Sequence, residues 1–302
     1  MPSNILVTGG AGFIGSHVAD ELIRQGNAVV VLDDLSGGLK DNVNPKATFI
    51  TGSITDEKLI EKMFHERHFD YVFHLAALPR LKRSLDDPWE THKVNVDGTL
   101  NLLLMAKKYK VKRFVFASSS SIYGNPLMVP FFEDMRPNPL VPYSLQKLEC
   151  EEYCKMFSDL WGLSTISLRY FNVYGSRMNP NSPYALLLPK FIKLMSQNRQ
   201  PTINGDGKHS RDFTYITDVV DATLLGAKSK ISGEVFNIGR GETISVNKVV
   251  EILNGLLGKR IKPIHGPPVI EPGITWASNA KARKLLGWKP RVKFEEGLRT
   301  ML

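Results

Sequence analysis

The chain has 302 residues, 42% of them hydrophobic, enough for a large core and more readily two lobes than one. The formal net charge of +9 suits an anionic partner. The basic residues are scattered, however, without aromatic interleaving or Cys/His finger spacing, which argues against direct nucleic-acid binding.

No run approaches the roughly 18 consecutive apolar residues of a membrane span. The chain opens on Asn4-Ile5-Leu6-Val7-Thr8, a buried-strand pattern with no leader-like segment before it. Strand-like runs then follow at Val29–Asp33, Thr48–Thr51, Tyr71–Ala76, Arg113–Ser118 and Thr165–Tyr170. Helical patterns lie between them: Ile14, Val18 and Leu22 share a face, as do Leu59, Ile60, Met63 and Phe64. Two longer helices are expected over Trp89–Lys108 and Tyr143–Leu160. This alternation predicts an α/β fold with a doubly wound parallel sheet. Beyond Tyr170 the pattern loosens: Asn179–Pro183 reads as loop, Tyr184–Gln197 as helix and Asn204–Gly207 as turn. Helices near Asp218–Lys228 and Val246–Leu257 flank a strand Val235–Ile238. Pro263–Pro272, with four prolines, reads as a connector. The expected division is 1–172 with a returning segment 212–245 as the main domain, and 173–211 with 246–302 as a smaller, partly interleaved lobe. Cys150 and Cys154 lie one helical turn apart. They read as core thiols, too few for a disulfide framework or a metal site, and fit a reducing cytoplasm. The seven histidines show no ligand spacing, so no metal is expected.

Gly9-Gly10-Ala11-Gly12-Phe13-Ile14-Gly15 follows a strand and opens a helix. There glycines permit a tight turn and the close approach of a pyrophosphate, and the helix N-terminus favours its charge. Asp33 ends the second strand 18 residues past Gly15, where a carboxylate can bind a ribose diol and repel a 2′-phosphate. NAD is therefore expected rather than NADP. In Tyr143-Ser144-Leu145-Gln146-Lys147, helical spacing brings the Lys147 ammonium near the Tyr143 phenol. A tyrosine ionises near pH ~10; an adjacent ammonium favours the phenolate and lets it act as a base. Ser118–Ser121 end the fifth strand, at the sheet edge where ligands bind, and alternation lets Ser119 and Ser121 face one site.

These residues resemble the extended short-chain dehydrogenase/reductases, in particular the nucleotide-sugar 4-epimerases. The resemblance runs through Thr8–His17, His74–Ala77, Asn95–Thr99, Ala117–Gly124, Pro142–Lys147, Arg169–Asn172, Gly205–Asp218 and Lys284–Trp288, nearly the whole chain. It implies a Rossmann-type domain holding NAD through Gly9, Gly12, Phe13, Ile14, Gly15, Asp33, Asp34, Ser53, Ile54, Leu75, Ala76, Ala77, Asn95, Ser118, Tyr143, Lys147 and Tyr170. It also implies a UDP-hexose oxidised at C4 and reduced again on its other face. Tyr143 would take the 4′-hydroxyl proton, Ser119 would bind that oxygen, and Lys147 would hold the nicotinamide ribose. Arg83, Ser119, Ser121, Tyr143, Asn172, Leu188, Asn204, Arg211 and Thr275 would line the sugar-nucleotide site, with Arg211 forking onto phosphate. A homodimer through the two long helices is implied as well.

The serine stretch separates branches of this family. Dehydratases resembling the chain carry an Asp-Glu pair there and decarboxylating relatives a Glu, whereas Ser120, Ser121 and Ile122 supply no carboxylate. A UDP-glucose and UDP-N-acetylglucosamine 4-epimerase is the reading, because Thr275 stands where a bulky Tyr would close the pocket to an N-acetyl group. UDP-glucuronate 4-epimerases share the serine stretch and are the near alternative; Arg80, Lys82 and Arg83 could meet a carboxylate or the diphosphate. Asn179–Pro189 resembles the neutral-hexose and N-acetylhexosamine branch more closely. A non-catalytic dinucleotide sensor is the alternative of a different class, and retention of Ser119, Tyr143 and Lys147 argues against it. Two departures from the family stand out: Ser53 replaces an adenine-reading Asp, and Glu271 replaces a diphosphate-binding Arg.

Overall fold

The computed structural model describes residues 2–79, 81–179, 186–268 and 273–302. In its first half β1 (Asn4–Thr8), α1 (Phe13–Arg24), β2 (Ala28–Asp33), β3 (Thr48–Thr51), α2 (Glu57–Arg67) and β4 (Tyr71–His74) alternate. They are followed by α3 (Leu81–Asp86), α4 (Pro88–His92), α5 (Gly98–Lys108), β5 (Arg113–Ser119), α6 (Pro142–Trp161) and β6 (Thr165–Tyr170). The second half holds β7 (Val173–Tyr174), α7 (Leu187–Ser196), β8 (Thr202–Asn204), β9 (Ser210–Arg211), β10 (Thr214–Tyr215), α8 (Ile216–Lys228) and β11 (Glu234–Ile238). It ends with β12 (Ile244–Ser245), α9 (Val246–Leu257), β13 (Ile264–Gly266), β14 (Ile274–Thr275), α10 (Ala280–Leu286) and α11 (Phe294–Arg299).

A seven-stranded parallel sheet runs β3-β2-β1-β4-β5-β6-β11, the doubly wound order, with its switch point between β1 and β4. Strand alternation builds two cores. Ile5, Val7, Val31, Phe73 and Val115 face one side, packed with Val18 and Leu22 of α1 and Val219 of α8. Leu6, Val30, Leu32, Val72 and Phe116 face the other, packed with Phe64, Leu102, Cys150 and Phe157. A one-residue slip would exchange the two sets between differently shaped partners, so close packing on both faces holds the register. Both cysteines are free and buried.

The smaller lobe has its own core, in which Leu188, Phe191 and Met195 of α7 meet Phe213, Val249 and Leu253, with Phe294 and Leu298 from α11. The boundaries expected from sequence need correction on both sides. Phe213, within the returning segment 212–245, belongs to this smaller core. Conversely Ala282, Leu286 and Trp288, assigned to 246–302, pack under the large sheet, where Trp288 Nε1 donates to Asp218 O at 2.8 Å. An apolar helix face reads alike against either lobe, which is why periodicity did not separate them. The strand expected over Tyr71–Ala76 stops at His74, because Leu75 and Ala76 turn to donate to Thr8. The helix expected over Trp89–Lys108 is α4 and α5 joined by a π turn, Lys93–Asp97. The helix expected from Tyr184 is described from Leu187; 180–185 lie outside the described residues.

Candidate active site

The glycine loop sits at the switch point and its glycines are required by space. Gly9 has φ +69°, and a Cβ there would lie 2.6 Å from Ala76 N; a Cβ on Gly15 would lie 2.1 Å from Gly9 O. Gly12 precedes α1 without any side-chain cap, and the first turn carries no acid, so the positive end of the helix is open to an anion. Asp33, at the end of β2, accepts from Ala11 N at 3.0 Å and Leu35 N at 2.8 Å. Burial raises its carboxyl above the usual range, against the pull of those N–H donors. Its neighbour Asp34 caps Ser36. A cradle that excludes Cβ atoms, an uncapped helix end and a carboxylate beyond it suit NAD. Ser53 spends its hydroxyl on Thr55 in the turn that leads into α2, while Ile54 is buried. Leu75, Ala76 and Ala77 are half-buried beside the loop.

α6 opens with Pro142 in its first turn and closes on left-handed Gly162. It brings Lys147 Nζ to 2.8 Å from Ala117 O of β5 and 5.9 Å from the centre of the Tyr143 ring. Tyr143 is half-buried, while Lys147 is buried and its ammonium is pushed down to about 8 by desolvation. Ser119, half-buried at the end of β5, accepts from Ser121 N at 3.2 Å. Among the described residues Ser121 Oγ is buried without a hydrogen-bond partner. A buried hydroxyl without a partner is costly unless a ligand completes it. Asn95 lies in the π turn, where its amide clamps Leu78 N and O and donates to Gln146 Oε1 at 2.8 Å.

Two residues expected at the cofactor turn out to have their side chains committed elsewhere. Ser118 gives its hydroxyl to Glu151, and Tyr170 buries its ring in the core with its OH on Thr223 at 2.8 Å. The two lie on opposite sides of the sheet: Ser118 turns toward α6, whereas Tyr170, the register partner of Ser119, turns toward α8. Beneath the site lies an ion pair that sequence reading missed: Arg169 of β6 forks onto Glu151 of α6, with NH2 to Oε2 at 2.7 Å, and also reaches Tyr123 OH. Burial opposes the guanidinium charge, but Glu151 more than restores it. A lone Arg within an apolar strand was the available signal.

On the far side, Asn172 adopts the left-handed region with φ 29° and donates to Thr275 Oγ1 at 2.9 Å. Thr275 is buried and pairs in parallel register with Arg211, whose NH1 donates to Ser210 O. Asn172, Arg211 and Thr275 are thus brought together. Asp212 ties this junction by accepting from Arg240 N, Gly241 N and Ala277 N; burial pushes its carboxyl up to about 7. Leu188 is buried in the smaller core, and Asn204 is exposed on β8. Lys82 and Arg83 pair with Asp86 and Glu90. Arg80 and Glu271 lie outside the described residues. Among the described residues no group of three or more His, Cys, Asp or Glu could hold a metal, and no helix is long and apolar enough to cross a membrane.

A profile of the NAD dependent epimerase/dehydratase family matches residues 5–239. The crystal structure of UDP-glucose 4-epimerase from Thermotoga maritima with UDP-glucose is similar with a TM-score of 0.96 at 40% identity, covering 99% of this chain and 97% of that one. The UDP-N-acetylglucosamine 4-epimerase of Methanobrevibacter ruminantium, in complex with UDP-N-acetylmuramic acid, gives 0.94 at 37% identity over the same shares. A UDP-glucuronate 4-epimerase of Thermodesulfobacterium geofontis is 37% identical, covering 97% of this chain and 93% of that protein.

Proposed function

The chain belongs to the NAD dependent epimerase/dehydratase family, and we propose that it is a UDP-sugar 4-epimerase whose redox step is carried by Tyr143, Lys147 and Ser119. NAD supplies the hydride acceptor and, on return, the donor. The observation that carries the reading is the buried Lys147 ammonium one turn from Tyr143, set against a β5 edge that ends in serines without a carboxylate. A fixed positive charge beside the phenol favours phenolate, so Tyr143 can remove the C4 hydroxyl proton and return it. Ser119 orients that oxygen, and Ser121 Oγ is available to a sugar hydroxyl. With no carboxylate in Ser118–Ile122, that stretch offers elimination no acid–base pair and the keto sugar is reduced again.

Neutral sugars are supported over UDP-glucuronate by the pairing of Lys82 with Asp86 and Arg83 with Glu90, which satisfies cations a uronate carboxylate would need. The compact Thr275 beside Asn172 supports acceptance of an N-acetyl group. Two buried free thiols support a reducing, cytoplasmic setting. A homodimer through α4, α5 and α6 is supported by the apolar residues those helices expose.

The test is interconversion of UDP-glucose with UDP-galactose, and of their N-acetyl counterparts, by purified protein. Tyr143→Phe should lose about 10²–10⁴ in kcat. Wild-type protein that retains NAD and turns over no UDP-sugar would refute the reading; turnover of UDP-glucuronate alone would select the other branch.

A further inference from the structure

A chain of buried hydrogen bonds runs through the sheet between the cofactor loop and α6, and His74 is its centre. Thr99 Oγ1 donates to Asn95 O at 2.5 Å, so its single hydrogen is spent. The 2.8 Å contact between Thr99 Oγ1 and His74 Nε2 must then carry the imidazole's hydrogen. In a neutral ring Nδ1 is left as an acceptor, and Thr8 Oγ1, 2.8 Å away, donates to it. Thr8 Oγ1 in turn accepts from Ala76 N at 3.3 Å. Reversing the Thr99–His74 bond would leave two acceptors, Thr99 Oγ1 and Asn95 O, facing each other at 2.5 Å.

The two ends of this chain are functional places. Thr8 and Ala76 border the glycine loop, where Ala76 also limits Gly9. Asn95 O lies in the π turn and takes the Cys150 thiol from α6 at 3.1 Å, while the Asn95 side chain holds Gln146, the residue before Lys147. His74 is buried between the rings of Phe114 and Phe116, and Lys147 is the charged group that faces it. An imidazolium there would be repelled by that ammonium and would force the Thr8 hydroxyl to give up its donation to Nδ1.

We propose that His74, held as its neutral Nε2–H tautomer, is a positioning residue that fixes the distance between the cofactor loop and the Tyr143–Lys147 pair through Thr99 and the π turn at Asn95. The proposal rests on the epimerase reading for its kinetic consequence and on geometry alone for the tautomer. Side-chain nitrogen NMR of ¹⁵N-histidine-labelled protein should show His74 protonated at Nε2 and non-titrating from about pH 5 to about 8. Protonation at Nδ1, or titration in that range, would overturn it. Thr99→Val removes the link without loss of bulk. It should lower kcat about 10- to 100-fold with KM for the UDP-sugar within about twofold, and Thr99→Ser should restore kcat. Wild-type kcat in Thr99→Val would overturn the positioning role.

Should wild-type protein turn over no UDP-sugar, the epimerase reading fails separately. Tyrosinate absorbance of Tyr143, taken as the difference from Tyr143→Phe, then decides: the apparent pKa should rise in Thr99→Val, and an unchanged value overturns the proposal. Thr8→Val tests the other limb by the same readouts if Thr99→Val does not fold.

Discussion

Lys147 stands where catalysis and stability conflict. Its ammonium is buried with the Ala117 carbonyl as hydrogen-bond partner, and desolvation takes it from its ordinary 10.5 to about 8. The folded state therefore binds this proton less well than the unfolded chain, at a cost of roughly 3 kcal/mol at neutral pH. Lys147→Met removes that cost but strands the Ala117 carbonyl, so a net gain of about 1–2 kcal/mol is expected, with epimerase activity lost. The sign with pH follows. Below about 8 both folded and unfolded wild type hold the proton and the gap between variant and wild type is constant. Between about 8 and 10.5 the folded form has released it while the unfolded form has not, so wild type gains stability and the gap closes. Urea unfolding of both proteins across that range, after removal of bound nucleotide, checks it; a gap that stayed constant would refute the burial account. The Tyr143–Lys147 pair was legible because helical spacing alone makes four-apart residues neighbours. Motif position does not say which face of a strand a side chain takes: Ser118 and Tyr170 spend their hydroxyls on opposite sides of the sheet, on Glu151 and Thr223.

At the scale of elements, the site depends on how β5, β6 and α6 are locked together. The lock is the Arg169–Glu151 pair with Ser118 and Tyr123, all buried behind the serine edge. Removing one partner leaves an uncompensated buried charge. Arg169→Met should accordingly cost about 3–5 kcal/mol, and adding Glu151→Gln should recover most of it. Denaturant unfolding of both variants measures this, and a cost below about 1 kcal/mol for Arg169→Met would show that the pair does not hold these elements. Only the lone cation was legible in sequence: nothing in a strand's apolar run indicates what Arg169 meets, and Glu151 lies 18 residues away. The elements themselves were better foreseen. Strand runs and capped helices declare their ends through glycine, proline and polar caps. A π turn has no such signature, and the expected single helix over Trp89–Lys108 concealed the one at Asn95.

At the scale of the molecule, the parallel sheet order followed from alternating strand and helix patterns, while the lobe boundaries did not, since α10 could have packed against either core. Among the described residues, one outer face groups exposed apolar side chains on adjacent helices. Along α6, Leu145, Met156 and Leu160 are exposed at helical spacing, continued by Trp161, by Leu104 of α5 and by Leu85 and Trp89 at α3 and α4. These helices cover the same side of the sheet, so the apolar residues belong to one broad face, of the kind that marks a protein interface. A symmetric pairing would place α5 and α6 of one chain against the same helices of another and bury the stripe without moving the active-site edge. Leu160→Asp puts a charge within it. Because Leu160 is solvent-exposed within one chain, folding stability should change by no more than about 0.5 kcal/mol. The dimer should nevertheless dissociate, since an unpaired charge in a desolvated interface costs several kcal/mol. Ile264→Asp, equally an exposed apolar position but on β13 of the smaller lobe, should leave the assembly unchanged. Sedimentation equilibrium of the three proteins decides: a monomeric wild type, or a Leu160→Asp variant that stays dimeric, would refute this interface.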